Sequence, residues 1–177
     1  MTSVAAACAK LGEHGKVAMD CIGAAAVQHG LRVARITQER HRNLLAPLKA
    51  SLAFCPELLR LDSDRKNPVH ITRLHMRPID ISSKTTEMEE MFAPADNSRI
   101  SLLATAVKAK LETAGATRVV GTGTSSSLRM VKAQLRANDF LREEEETSLL
   151  WGLCSICEVE GKNLTSLAID FLKGPMI

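Results

Sequence analysis

The sequence predicts an α/β fold: an α+β two-layer sandwich made of two tandem copies of one (β)αβαββ unit, paired as an internal pseudo-dimer. Three observations lead there. A strand–Gly–helix stretch at residues 16–36, KVAMDCIGAAAVQHGLRVARI, returns at residues 116–136 as ATRVVGTGTSSSLRMVKAQLR. At that constant offset of 100, Ala6, Ala9, Lys10, Leu11, Gly15 and Gly23 recur as Ala106, Ala109, Lys110, Leu111, Gly115 and Gly123. Each copy then closes with two apolar-rich stretches joined by a turn, the pattern of a β-hairpin. A single copy is small and has a thin core, so packing two copies together adds needed burial.

In chain order, Thr2 or Ser3 caps a helix to about residue 13, with Val4, Cys8 and Leu11 on one face. Gly15 stops it and residues 16–22 form a buried strand. Gly23 turns that strand into a helix over residues 24–40, whose core stripe is Val27, Leu31 and Ala34. Residues 43–49 read as a loop around Pro47. A strand over 51–61 contains Pro56, which suggests an edge or a bulge. Residues 63–68, SDRKNP, are turn chemistry, and VHITRLHM (69–76) alternates as a half-buried strand does. The first copy thus occupies residues 1–80.

Residues 81–96 read as a linker with a short solvent-facing strand over 85–92. The second copy, 97–177, repeats the order. Asn97 or Ser98 caps a helix to residue 113 with Leu103, Val107 and Leu111 in register, and Gly115 stops it. Residues 117–122 are the strand, Gly123 the turn and 124–138 the helix, with Leu128, Val131 and Leu135 inward. After an acidic loop at 143–146, residues 148–159 and 163–173 form the hairpin.

Composition narrows the function. Aromatic residues are 3% of the chain, with one Trp and no Tyr, so the core is aliphatic and rings for stacking on bases are scarce. Charge is uneven: residues 1–80 hold 12 Lys/Arg against 7 Asp/Glu, residues 81–177 hold 11 against 13, and all five His lie in the first part. A basic half fits an anionic partner or a complementary subunit surface. Five Cys with no small-secreted-domain spacing, three of them among apolar residues, point to a reducing intracellular compartment, the cytoplasm ahead of an organelle. No apolar run of 18 residues suggests a membrane span, and the N-terminus lacks the features of a secretory signal or presequence.

The stretch SVAAACAKLGEHGKVAMDCIGAAAVQHGLRVARI (3–36) resembles the core of the bacterial stage V sporulation protein S family. That family has a Ser-Val-Ala start, an Ala-rich first helix and an Ile-Gly-Ala turn into the second. NSRISLLATAVKAKLE (97–112) resembles its first helix again. The family is similar in fold to the Alba nucleic-acid-binding proteins, which implies a βαβαββ sandwich, dimeric pairing and nucleic-acid binding. Two departures stand out. The first copy opens on its helix, so its sheet is one strand short or borrows one. In the second copy Ile-Gly-Ala becomes Thr122-Gly123-Thr124.

Candidate site residues follow. Gln28, Arg32, Arg35 and Glu39 form one stripe opposite the core face, with His29 beside them. Arg129, Lys132 and Arg136 form the matching stripe, and Arg32 aligns with Lys132. Guanidinium groups on a rigid helix suit phosphate contacts, which position a nucleic acid without reading its sequence. A solvated or protein-facing helix needs charges too. Arg65 and Lys66 at the first hairpin tip could enter a groove, beside Asp62 and Asp64. Thr124, Ser125 and Ser126 at a helix N-terminus are an anion-site candidate, against plain capping. Cys154 and Cys157 form a C-x-x-C without a second pair at zinc spacing, and His70 and His75 cannot share a strand face. No nucleophile–base pair, paired-carboxylate motif or cofactor fingerprint is present. The expectation is therefore a non-enzymatic nucleic-acid-binding protein, for RNA in particular, without cofactor or metal. The alternative is a structural or adaptor subunit of a large protein or ribonucleoprotein assembly.

Overall fold

Four glycines in the left-handed region set the chain's turning points. Gly15 (φ 67°) and Gly115 (φ 72°) each donate a backbone N–H to the carbonyl four residues back, Leu11 and Leu111, and so end a helix. Gly23 (φ 80°) and Gly123 (φ 81°) each turn a strand directly into a helix. Around them the computed structural model describes residues 3–61, 69–82, 88–144, 147–158 and 165–177. The first half runs α1 (Ser3–His14), β1 (Val17–Cys21), α2 (Gly23–Leu45), β2 (Ala50–Leu61) and β3 (Val69–Asp80). The second runs β4 (Glu90–Phe92), α3 (Ile100–Ala114), β5 (Ala116–Gly121), α4 (Gly123–Glu144), β6 (Ser148–Glu158) and β7 (Thr165–Pro175).

All seven strands join in one mixed sheet of order β1-β3-β2-β6-β7-β5-β4. Among the described residues only β4–β5 is parallel. The four helices pack on one face in the order α1-α2-α4-α3. Between the layers lies an aliphatic core that includes Val27, Leu31, Leu74, Val107, Val131 and Ile169. The opposite sheet face carries a smaller cluster around Leu149, Trp151, Leu153 and Leu172. Ile81 and Met88, at either end of the β3–β4 connection, pack against it. The Trp151 indole donates to Pro175 O at 2.8 Å and lies against Gly174, where a Cβ would come within 2.5 Å of the ring.

Several boundaries differ from expectation. The helix expected to end at residue 40 continues to Leu45, because no breaker precedes Pro47, which opens a 3-10 turn (Ala46–Leu48) instead. Likewise α4 runs to Glu144, taking in part of the expected acidic loop. Its buried face centres on Met130, Gln134 and Leu141, with Leu128 and Leu135 on the flank. β3 passes through Pro78 to Asp80, since β1 pairs only as far as Met76 and leaves that side of β3 open. β4 is three residues long.

β2 was expected at an edge or bulged because of Pro56, yet it pairs along its whole length with β3 and sits mid-sheet. The reason is that β2 meets β6 at a single bridged pair, Phe54↔Gly152. Gln134 donates to Phe54 O, which shows that Phe54 aims its backbone across this seam. Pro56, two residues on, aims the same way where β6 has already diverged, so its missing N–H breaks no ladder.

The ladders also fix which positions correspond. Val17 pairs with Met76 and Thr117 with Phe171, while Phe54 pairs with Met76 and Gly152 with Phe171. With Val17 and Thr117 equivalent at the offset of 100, Phe54 and Gly152 hold corresponding places in the two halves. They face each other at the seam. A Cβ on Gly152 would meet the Phe54 ring at 2.6 Å and Ile169 at 2.8 Å, so the ring fills the space glycine leaves. Two buried amides of α4 complete the joint: Gln134 donates to Leu150 O at 2.9 Å, and Asn138 accepts from Leu150 N–H at 2.6 Å.

Gly152→Ala is expected to destabilise the protein by about 1–3 kcal/mol through overpacking. Phe54→Leu should relieve part of that cost in the double mutant; urea unfolding of the four variants measures the coupling. A second expectation concerns the thiols. Cys21, Cys55 and Cys154 are buried, Cys8 and Cys157 half-buried. Burial pushes the Cys55 thiol from 9.0 up to about 12. Its stabilising effect is therefore full below the unfolded value and lost as pH rises toward about 12. Alkylation followed by mass mapping should label Cys8 and Cys157 in the native protein and the other three only after unfolding.

Candidate nucleic-acid interface

The basic stripe of α2 lies where the halves meet. Gln28 and Arg35 are half-buried and Arg32 is exposed. These three line a cleft of about 60 Å³ together with Gly123, Ile156, Ser166 and Leu167. The first half thus supplies the cations, and the second half supplies strand residues and the start of α4. The first-turn N–H groups of a helix have no intrahelical partner and carry the positive end of its dipole. Opening that end beside two guanidinium groups makes a positive concavity.

The charges are not equally available. Arg35 pairs with Glu39 one turn on, and its Nε is buried without a partner. Arg32 has no ion-pair partner among the described residues. Thr122 Oγ1 and Ser166 Oγ share a hydrogen bond of 2.7 Å near the rim. His29 is exposed and does not line the cleft.

The anion-site candidates Thr124, Ser125 and Ser126 do not line it either; the backbone at Gly123 does. Thr124 and Ser125 are exposed, and Ser126 packs its Cβ toward Gly121. The buried serine of this run is Ser127, whose hydroxyl donates to Gly123 O at 3.0 Å.

The second stripe is placed apart from this cleft. Lys132 is exposed and Arg129 half-buried with its Nε unpartnered. Arg136 stacks over Phe140 at 4.9 Å and lies 3.7 Å from Asp139. Counterparts of Gln28, Arg32 and Arg35 in α4 are Leu128, Lys132 and Leu135, so the corresponding face is mostly apolar. The cleft on that side, about 220 Å³, is lined by Glu57, Leu135, Asn138, Asp139 and Arg142 among others and carries two carboxylates. The Glu57 carboxylate accepts from His75 Nε2 at 2.8 Å. Arg65 and Lys66 lie outside the described residues.

Elsewhere two arginines are paired with aspartates across neighbouring strands. Arg73 grips Asp20 with bonds of 2.7 and 2.9 Å and holds that carboxyl below its ordinary range. Arg118 grips Asp170, which is 2% exposed, at 2.6 and 3.0 Å. Burial pushes the Cys154 thiol far up, while Cys157 is half-buried beside Ser166 O. No group of three His, Cys, Asp or Glu side chains placed to hold a metal occurs among the described residues. Among those residues no helix is long and apolar enough to cross a membrane.

Sequence reasoning found Gln28, Arg32 and Arg35 from helical spacing. It missed Gly123, Ser166 and Ile156 as their companions, because that contact crosses between halves and depends on β2 pairing with β6. Compared with models of protein families, with curated proteins and with solved structures, the chain matches none.

An oxyanion in this cleft would raise the melting temperature. Inorganic phosphate at ~10 times its Kd should add about 1.4 kcal/mol of stability, by mass action. Differential scanning fluorimetry should show the shift for the native protein and for Arg136→Ala, and its loss in Arg32→Ala.

Proposed function

We propose that this chain is a non-enzymatic nucleic-acid-binding protein that holds backbone phosphates at the junction of its halves. The observation that carries the reading is the meeting of Arg32 and Arg35 with the N-terminus of α4 in one cleft. Phosphate is the anion that both donors suit: guanidinium gives forked bonds, and a helix N-terminus gives N–H groups and dipole charge. The surrounding surface offers little for reading bases, since exposed rings are few. Binding is therefore a matter of backbone geometry, with RNA as the first probe. The resemblance of residues 3–36 and 97–112 to the sporulation protein S family supports the same reading. In it the two halves are tandem Alba-like (β)αβαββ repeats, over 1–80 and 97–177, forming a pseudo-dimer within one chain. The shared element order, the paired glycines and the sheet order running inward from both edges support that relation.

A second reading, a structural or adaptor subunit of a larger assembly, is favoured by apolar side chains left in water. Leu44, Leu48, Phe92 and Leu102 are each about 70% exposed. Leu44 and Leu48 follow one another at helical spacing where α2 runs into its 3-10 turn.

Titration of labelled single-stranded RNA over a salt series tests the first reading. Affinity should fall with salt at a log–log slope of about −0.7 per phosphate contacted. Arg32→Ala combined with Arg35→Ala should weaken binding about tenfold and flatten the slope by roughly one to two units. Arg136→Ala should change neither. Salt-independent binding, or an unaltered double mutant, sinks the proposal. Capture of the same partner proteins before and after nuclease treatment would move the conclusion to the subunit reading.

A further inference from the structure

The two ends of the sheet are finished differently. In the second half β5 is covered by β4, in the register Glu90↔Arg118, Met91↔Val119, Phe92↔Val120. Backbone bonds bracket the strand: Arg118 N–H donates to Glu89 O at 3.3 Å, and Ala93 N–H to Val120 O at 2.7 Å. Met91 and Ala93 face the helix layer and pack against the main core. Met88 packs on the other face. The Glu89 carboxylate pairs with Lys110 of α3.

In the first half β1 is the outer strand, and no strand lies beyond it among the described residues. At the offset of 100, Ala18 and Asp20 correspond to Arg118 and Val120. Their N–H and C=O groups therefore aim at the open side. Lys10 corresponds to Lys110, is exposed, and has no ion-pair partner among the described residues. A cleft of about 270 Å³, lined by Ala6, Lys10, Met19, Cys21 and Gly30 among others, runs between α1 and β1 where β4 lies in the other half. It meets a groove of about 580 Å³ that shares Lys10 and Val17 and reaches Trp151, on the sheet face that Met88 packs against.

We propose that the β1 edge receives an extended segment of a partner protein, added parallel to β1 as β4 is to β5. The recognised pattern is apolar–acidic–x–apolar–x–small, the order of Met88-Glu89-Glu90-Met91-Phe92-Ala93. Main-chain bonds to Ala18 and Asp20 supply the attachment, and alternate side chains supply selectivity. The apolar and small residues enter the cleft between α1 and β1. The acidic residue pairs with Lys10. The leading apolar residue turns into the groove toward Trp151. An open strand edge invites such pairing, and the charge on Lys10 together with the template in the same chain says which segment fits.

A fluorescent peptide carrying residues 88–94, MEEMFAP, is the probe, read by anisotropy against the full chain. Saturable binding is expected, with hydrogen exchange slowed at residues 17–21 and unchanged at 116–121. Lys10→Glu should weaken it by about three- to tenfold, the range of an exposed ion pair turned repulsive. A peptide with Lys at its first Glu position should show the reverse preference, binding the Lys10→Glu protein better than the native one. No saturable binding to the native protein, equal binding of both peptides to both proteins, or protection at 116–121 instead of 17–21 overturns the proposal. A concentration-dependent dimer that Lys10→Glu dissolves and that excludes the peptide would also overturn it, assigning the edge to a second copy.

Discussion

The fold depends on a joint two strands wide and one bridged pair long. β2 and β6 meet at Phe54 and Gly152, and the ring of one lies in the space left by the other. So short a ladder leaves backbone groups to satisfy, and α4 satisfies them with Gln134 and Asn138. Both amides are buried, and losing a buried partner costs about 1–3 kcal/mol. Without this joint the sheet would be two smaller sheets, α2 would not reach β6, β7 or the start of α4, and the Arg32–Arg35 cleft would not exist. The cleft proposed to hold phosphate and the contact that joins the sheet share one junction.

Each half solves its own strand–helix contact by exchanging volume between partners. Gly30 of α2 lies against Cys21 of β1, with a missing Cβ at 2.9 Å from the thiol. In the other half the strand contributes Gly121 and the helix Met130, whose terminal methyl is 3.2 Å from the missing Cβ. Large and small have changed places and the layer spacing is kept, as a close-packed interior requires. Charge was redistributed as well. β1 carries the acid of its pair with β3, Asp20 to Arg73, while β5 carries the base of its pair with β7, Arg118 to Asp170. Backbone plan is held in common and side-chain chemistry is not.

How much of this the sequence disclosed follows the range of the interaction. The glycines at 15, 23, 115 and 123 and the helix–strand alternation around them are local and were readable. So was the basic stripe of α2, a matter of spacing along one helix. The lengths of α2 and α4 were underread because charged residues at their ends look like loop, although nothing there breaks a helix before Pro47 or after residue 138. Pro56 was misread for the opposite reason: it sits where the neighbouring strand has turned away, a fact of tertiary pairing that no local pattern carries. The companions of Arg32 and Arg35 were beyond reach on the same ground. Gly123 is nearly a hundred residues distant, and only the strand order brings it close.

Because Phe54 and Gly152 hold corresponding places, the joint is a bulge meeting a hollow rather than a surface meeting its mirror image. Two first halves brought together would set ring against ring, and two second halves would leave a void where no side chain reaches. Only unlike halves fit. A homodimer of a single half could not own such a contact, since its two-fold axis would force the same residue onto both sides. Carrying both halves in one polypeptide lifts that restriction. It lets one side become basic while the other becomes acidic, and it makes mispairing of like with like costly from the first contact.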